Sequence, residues 1–261
     1  MLGLALGLRC QVSVEVADEW SVEHTGLHAL DEGEPDAVLA AAQHAVGEQP
    51  LRIRVENQIP MGKGLGSSSA ALVAGAAAAL RAVNGEASPD RVFRLASKLE
   101  GHPEQVAACV YGGLALVPAA GLPMRLPIHP SLRPVVGIPN SRLATSEARR
   151  LVARTQDLEV VVRSLARVAA LTAGLITGDA GMLDSAHGDE IHEAPRAAID
   201  PEVEELIVLA KRAGALHAAR SGAGPAVVAL ATVEAADRVA AAFAERGLDV
   251  LNAPVESSGL V

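Results

Sequence analysis

Aromatic side chains are nearly missing. Trp20, Phe93, Tyr111 and Phe243 are all that 261 residues hold, although half of the chain is hydrophobic. The core must therefore be built from Ala, Val and Leu, and no surface for stacking nucleic-acid bases is available. Basic charge is also short: 22 Lys+Arg face 31 Asp+Glu, a net charge of -9, which excludes a general nucleic-acid binder. Lysine is rarest among the charged residues, with Lys63, Lys98 and Lys211 alone. Two cysteines, Cys10 and Cys109, make neither a disulfide framework nor a Cys-based zinc site, and both sit in apolar stretches as expected for buried reduced thiols. The apolar start MLGLALGLRC lacks a basic leader and is too short to span a membrane. Ala70–Leu80 stops at Arg81 and is also too short. The expectation is a soluble cytoplasmic protein with no membrane and no nucleic-acid partner.

Length and aliphatic content suit one large domain or two small ones. Gln11–Ala17 and Leu51–Asn57 alternate apolar and polar residues as half-buried strands do, and Trp20–His24 is the expected hairpin partner of the first. Pro35–Val46 reads as a helix. Ser67–Val83 is apolar nearly all round, which predicts a buried helix. Ser88-Pro89-Asp90 predicts a helix start, with Ser as N-cap and Pro in the first turn, running to Glu100. Val106–Tyr111 reads as a short helix; Leu114–Val117 and Pro134–Ile138 read as strands, with Pro118–Leu132 as a junction between halves. Then follow helices over Ser146–Ala153, Glu159–Thr177, Ala180–His192 and Pro201–Ala213. A strand at Val227–Ala231, a helix at Val233–Glu245 and a strand at Leu248–Asn252 close the chain. Strands first, helices in the middle and a mixed end argue α+β, not a doubly wound parallel sheet.

The richest segment is Pro60-Met61-Gly62-Lys63-Gly64-Leu65-Gly66-Ser67-Ser68-Ser69-Ala70. Three glycines in five residues let the backbone take conformations closed to other residues and approach a ligand closely. A long helix begins at the serines, and a helix N-terminus offers unpaired N–H groups and partial positive charge. Together these predict an anion site, most naturally for phosphate. The alternative is a glycine-rich turn with a serine cap. The order of Lys63 and the glycines is wrong for a Walker A loop, and the even spacing is wrong for the dinucleotide fingerprint.

Pro60–Ala70 resembles the central motif of the GHMP kinases, a proline followed by GLGSSxA. Ser221-Gly222-Ala223-Gly224-Pro225-Ala226-Val227 resembles the same superfamily's C-terminal glycine-rich motif. Within it the chain is most similar to the homoserine kinase family, through Glu100-Gly101-His102-Pro103, Leu143-Ala144-Thr145-Ser146-Glu147-Ala148-Arg149, and Asp189-Glu190-Ile191-His192 with Arg196. The resemblance runs from about residue 2 to the end with the motifs in family order. It implies a two-domain fold: an N-terminal nucleotide-binding domain over 1–125, ribosomal protein S5 domain 2-like, and a C-terminal domain over 126–261, a ferredoxin-like α/β sandwich. It implies ATP-dependent phosphorylation of the L-homoserine hydroxyl, on the route to threonine, with Mg²⁺ and with a homodimer as the candidate assembly. Pro60–Ala70 would wrap the nucleotide phosphates. Ser68 and Glu100 would hold the Mg²⁺, in keeping with its demand for hard oxygens. Arg149 and Arg196 would bind the amino acid's carboxylate as planar bidentate donors. Gln105, Thr145 and Gly222 would line the substrate pocket, Lys63 would add positive charge, and His192 would hold Arg196.

The chain departs from the family in four places. The segment PATxANLGPGFD, which precedes LGLAL in the family and contacts the amino acid, has no counterpart before Met1-Leu2-Gly3-Leu4-Ala5-Leu6. The expectation is a start placed late, at an internal methionine codon; the alternative is a degenerate member. Glu104-Gln105 replaces Asp-Asn, each one methylene longer, which would reshape the pocket. Ala194-Pro195 removes an aromatic before Arg196, and Ser258-Gly259-Leu260-Val261 lacks the family's terminal arginine. Another GHMP small-molecule kinase, for shikimate or an isoprenoid intermediate, and a non-catalytic nucleotide-binding member are the competing readings.

Overall fold

The computed structural model describes residues 1–26, 30, 34–141, 148, 150–252 and 254–260. The chain divides into two compact units. One comprises Met1–Met61, Gly66–Leu126 and Val255–Val261; the other comprises Gly62–Leu65 and Pro127–Pro254.

The first unit begins with strands β1 (Leu2–Leu4), β2 (Cys10–Val16) and β3 (Ser21–Thr25). Helix α1 (Ala37–Val46) and strand β4 (Leu51–Asn57) follow. Alternation in β4 is complete: Leu51, Ile53, Val55 and Asn57 point inward and the residues between them outward. This strand takes the centre of a β2-β4-β3 sheet, antiparallel to β2 and parallel to β3. The expected Trp20–His24 hairpin is therefore corrected. β2 and β3 run in opposite directions as hairpin strands would, but β4, carrying the buried apolar side chains, is inserted between them. Sequence-local pairing loses to a long-range strand with the better inward face.

Helices α2 (Ser67–Asn84), α3 (Pro89–Glu100) and α4 (Pro103–Tyr111) pack above, with β5 (Leu114–Leu116) and β6 (Met124–Leu126) joining β1 in a β1-β5-β6 sheet. β1 and β6 went unread in the sequence, being three residues each and too short to show a period. α2 is buried along its middle turns, as its composition predicts. Gly75 lets it approach α1 closely, since a Cβ there would collide with the Val38 backbone. Ser88 caps α3 by accepting from Arg91 N, and Asp36 caps α1 by accepting from Val38 N at 2.9 Å and Leu39 N at 3.1 Å. The tail from Val255 returns to this unit: Gly113 N–H donates to Glu256 O (2.7 Å), and Leu260 N–H donates to Val110 O (3.0 Å).

The second unit is built on β7 (Leu132–Ile138), β8 (His217–Arg220), β9 (Val227–Thr232) and β10 (Asp249–Asn252), in order β10-β7-β9-β8 with every pair antiparallel. Between β7 and β8 come α5 (Leu158–Thr177), α6 (Ala180–Ser185), α7 (Glu193–Ala197) and α8 (Pro201–Arg212); α9 (Val233–Glu245) links β9 to β10. β9 and β10 run parallel with β7 between them. Val135, Leu206, Val239 and Phe243 are among the fully buried side chains of this core. The single helix expected over Ala180–His192 is corrected: it stops at Ser185, because Gly188 takes a positive φ of 86°. Asp189 then accepts from Ile191 N and His192 N, both at 2.9 Å, turning the chain into α7. Of the helix expected over Ser146–Ala153, residues 146, 147 and 149 lie outside the described residues; Ala148 and Arg150 are helical, but Leu151, Val152 and Ala153 are not, so its C-terminal end is corrected to Arg150.

α5 is, among the described residues, the one helix long and apolar enough to cross a membrane by length and composition. Leu158, Val162, Leu165 and Val168 are exposed on it. Glu159, Arg163 and Arg167 also lie in it, the two arginines sharing Glu190 at 2.7 and 2.9 Å. Cys10 and Cys109 are free, and burial pushes their thiols up to about 11 and about 12.

His187 and His217 stack with ring centroids 4.5 Å apart. Burial, and then the charge of His187, lowers His217 to about 4. The unfolded imidazole binds its proton near 6.5, so on acidification the unfolded chain protonates first. Stability is intact above that pH and drains as pH falls towards 4, by about 3 kcal/mol for this one group. Denaturant titrations between neutral pH and pH 4 should show that slope, and His217→Gln should flatten it.

Candidate active site

The first unit assembles one half of the predicted constellation. Gly66 precedes α2 with φ 78° and ψ 23°, a left-handed residue with no cap side chain, so the first N–H groups of α2 lack a side-chain acceptor. Ser68 Oγ, in the first turn, donates to Glu100 Oε2 at 2.8 Å. Glu100 is the last residue of α3, and Gly101 ends that helix at φ 74°. The pair sets a hydroxyl and a carboxylate side by side at a helix N-terminus. Ser69, fully buried, donates to Gln105 Oε1 at 3.4 Å. Gln105 thus reaches the serine run, with its Oε1 also close to Gly66.

Asn57 was missed in the sequence. It is 8% exposed. Its Oδ1 accepts from Ile59 N at 3.0 Å, while its Nδ2 donates to Ile59 O (3.2 Å) and Ser67 Oγ (3.1 Å). A single amide therefore holds both the entry to the glycine-rich loop and the first serine after it. The signal was present: an Asn at the inward position of a strand whose other inward residues are Leu, Ile and Val.

The second unit holds the loop's centre. Gly62, Gly64 and Gly66 all have positive φ, at 69°, 77° and 78°. Their even spacing is thus a conformational requirement, which no other residue type meets without strain. At Gly64 space is lacking as well, since a Cβ would collide with Ser221 O. Ser221 Oγ donates to Gly64 O (3.0 Å) and Ala226 N–H donates to Lys63 O (3.1 Å), so the two glycine-rich motifs are bonded to each other. Lys63 Nζ donates to the carbonyls of Pro139, Asn140 and Ser141 at 2.6, 2.8 and 2.6 Å. The ammonium that the motif resemblance assigns to the phosphate side thus has these main-chain oxygens among its partners.

Arg196 is 8% exposed. Its Nη1 donates to Gly222 O (3.0 Å) and its Nε to Ala148 O (3.3 Å). Gly222, predicted to line the pocket, is thus tied to the arginine predicted to bind the substrate. The ring of His192, expected on Arg196, bonds instead to Asp189 Oδ2 (2.9 Å), three residues back. Thr145 and Arg149 lie outside the described residues. Behind the Ser221–Val227 loop, Arg220 is buried and donates from Nη1 to Asp200 Oδ2 at 3.0 Å. Its backbone N–H donates to Glu193 Oε1 at 2.8 Å. Burial raises the Glu193 carboxyl, against the hydrogen bonds that lower it. None of these three residues carried a sequence signal.

Among the described residues no group of three His, Cys, Asp or Glu side chains could hold a metal ion. Ser68 and Glu100 fit a hard cation that takes one or two protein oxygens and completes its shell elsewhere.

Comparison with known proteins follows the same division. Residues 35–113 match the family model of the GHMP kinases N-terminal domain, and residues 169–249 match that of the GHMP kinases C-terminal domain. Fold and paired glycine-rich loops thus define a GHMP kinase. The chain is 40% identical to a homoserine kinase of Thermus thermophilus, covering 94% of this chain and 86% of the relative. It is 34% identical to a homoserine kinase of Moorella thermoacetica, over 95% of this chain and 88% of that one. The crystal structure of homoserine kinase from Cytophaga hutchinsonii matches with a TM-score of 0.83 at 27% identity, covering 94% of this chain and 86% of that one. The chain belongs to the homoserine kinase family.

Removing the Asn57 amide leaves the buried Ile59 N–H without its acceptor. Asn57→Ala should lower unfolding free energy by about 1–3 kcal/mol, read by denaturant titration.

Proposed function

We propose that this chain transfers the terminal phosphoryl group of ATP to the side-chain hydroxyl of L-homoserine, giving ADP and O-phospho-L-homoserine. The observation that carries the reading is similarity to homoserine kinases over more than nine-tenths of the chain, with the Ser68–Glu100 pair intact.

Phosphoryl transfer asks chiefly for alignment and for charge to be neutralised. The start of α2 and the left-handed loop before it offer backbone N–H groups to the nucleotide phosphates. Ser68 and Glu100 would hold Mg²⁺, which when bound neutralises phosphate oxygens. Arg196, with Arg149, would orient homoserine by its carboxylate, a planar fork on a planar acceptor. Gly222 sets the position of the Arg196 fork through its carbonyl. Gln105, bonded to Ser69, would be a further substrate contact. The mechanism then rests on positioning and electrostatics, with no dedicated base required. Two free thiols suit a reducing, cytoplasmic setting.

The test is ADP release and product mass with ATP, Mg²⁺ and L-homoserine. Homoserine-dependent turnover is expected, and its absence refutes the reading. Glu100→Gln keeps the shape but removes the charge, and should cost about ten- to a hundredfold in kcat, consistent with one lost charged interaction.

A further inference from the structure

Lys63 presents a geometry that phosphate binding does not account for. Its ammonium nitrogen lies 2.6–2.8 Å from three carbonyl oxygens contributed by consecutive residues, Pro139, Asn140 and Ser141. An ammonium donates and does not accept, and these three acceptors converge on it. Carbonyl dipoles aimed at one point repel one another unless a cation sits there, and charge-assisted bonds are the strong ones. The cage stands just past β7, at the point where Pro139 follows its last residue, Ile138. The lysine is held from its main chain as well, through the Ala226 N–H on Lys63 O, and its neighbour Gly64 is held by the Ser221 hydroxyl. Ser141 leads directly into the segment carrying Thr145 and Arg149.

We propose that Lys63 is a tethered monovalent cation, a positioning residue that closes the 139–141 carbonyl cage and so couples the glycine-rich loop to the start of the segment predicted to bind the amino acid. It acts through main-chain placement and does not touch the reacting atoms. The coupling to catalysis rests on the homoserine kinase reading, whereas the cage itself does not. Arginine is no substitute, because a planar fork spreads its donors and cannot bring three of them to one point.

Chemical rescue tests this. In Lys63→Ala, kcat/KM for homoserine should fall about ten- to a hundredfold, in line with lost charge-assisted bonds. Ammonium or methylammonium should restore most of it, tetramethylammonium should restore none, and neither small ion should alter the wild type. Lys63→Arg should stay impaired. Lys63→Gln, which keeps a polar but uncharged side chain one atom shorter, should show the same loss while retaining the fold. A second readout needs no turnover: methylammonium should raise the melting temperature of Lys63→Ala and leave the wild type unchanged. Wild-type kinetic constants in Lys63→Gln would overturn the proposal, as would a Lys63→Ala protein indifferent to both small cations in activity and melting. If the wild type fails to phosphorylate homoserine, the kinase reading falls, and the melting experiment alone decides the cage.

Discussion

Everything at the candidate site depends on how the chain enters α2. A long, buried helix must start somewhere with its first N–H groups unpaired. Four of the described helices meet that need with a cap side chain, among them α1 with Asp36 and α3 with Ser88. α2 does not: its cap is a left-handed Gly66 with no side chain at all. The helix is nevertheless secure, because Leu72, Val73, Ala76, Ala77 and Leu80 are buried in the unit's core. Packing energy from the middle of the helix thus permits an uncapped start, which the proposed function assigns to the nucleotide phosphates.

Within each unit, hydrogen bonds hold the predicted motifs in shape. Asn57 ties the strand before the loop to Ser67 after it. Ser68 and Glu100 place two hard oxygens beside the first turn. In the other unit, Lys63, Ser221 and Ala226 fix the loop's centre by side chain and main chain. Arg220, Asp200 and Glu193 brace the second glycine-rich motif from behind, and Arg196 bonds its first glycine. Polar groups buried in this way are costly unless paired, and most of these are paired with backbone.

Much of this was legible in the sequence because it is local. Ser88-Pro89 marks its helix start, β4 shows its inward face by alternation, and Gly62, Gly64 and Gly66 announce a backbone only glycine tolerates. Ser68 with Glu100 was legible through motif resemblance, and the structure brings the two side chains together. What was not legible is non-local. Nothing within residues 11–24 reveals that β4 will separate β2 from β3. The HAAR strand has too little pattern to stand out, and nothing near Arg220 in the sequence points to its partner Asp200, twenty residues away. The carbonyls that Lys63 bonds lie more than seventy residues away, so its place in the loop does not reveal them.

On the proposed function, the left-handed loop makes the nucleotide site by forming this uncapped helix start. Gly64 is its most demanding point, needing both positive φ and the absence of a Cβ. The direct measurement is ATP affinity of Gly64→Ala by calorimetry, alongside its far-ultraviolet circular dichroism. A native-like spectrum is expected, with nucleotide binding weakened by at least about tenfold, the scale of a strained backbone at a ligand contact. A folded Gly64→Ala protein that binds ATP as tightly as the wild type would contradict it.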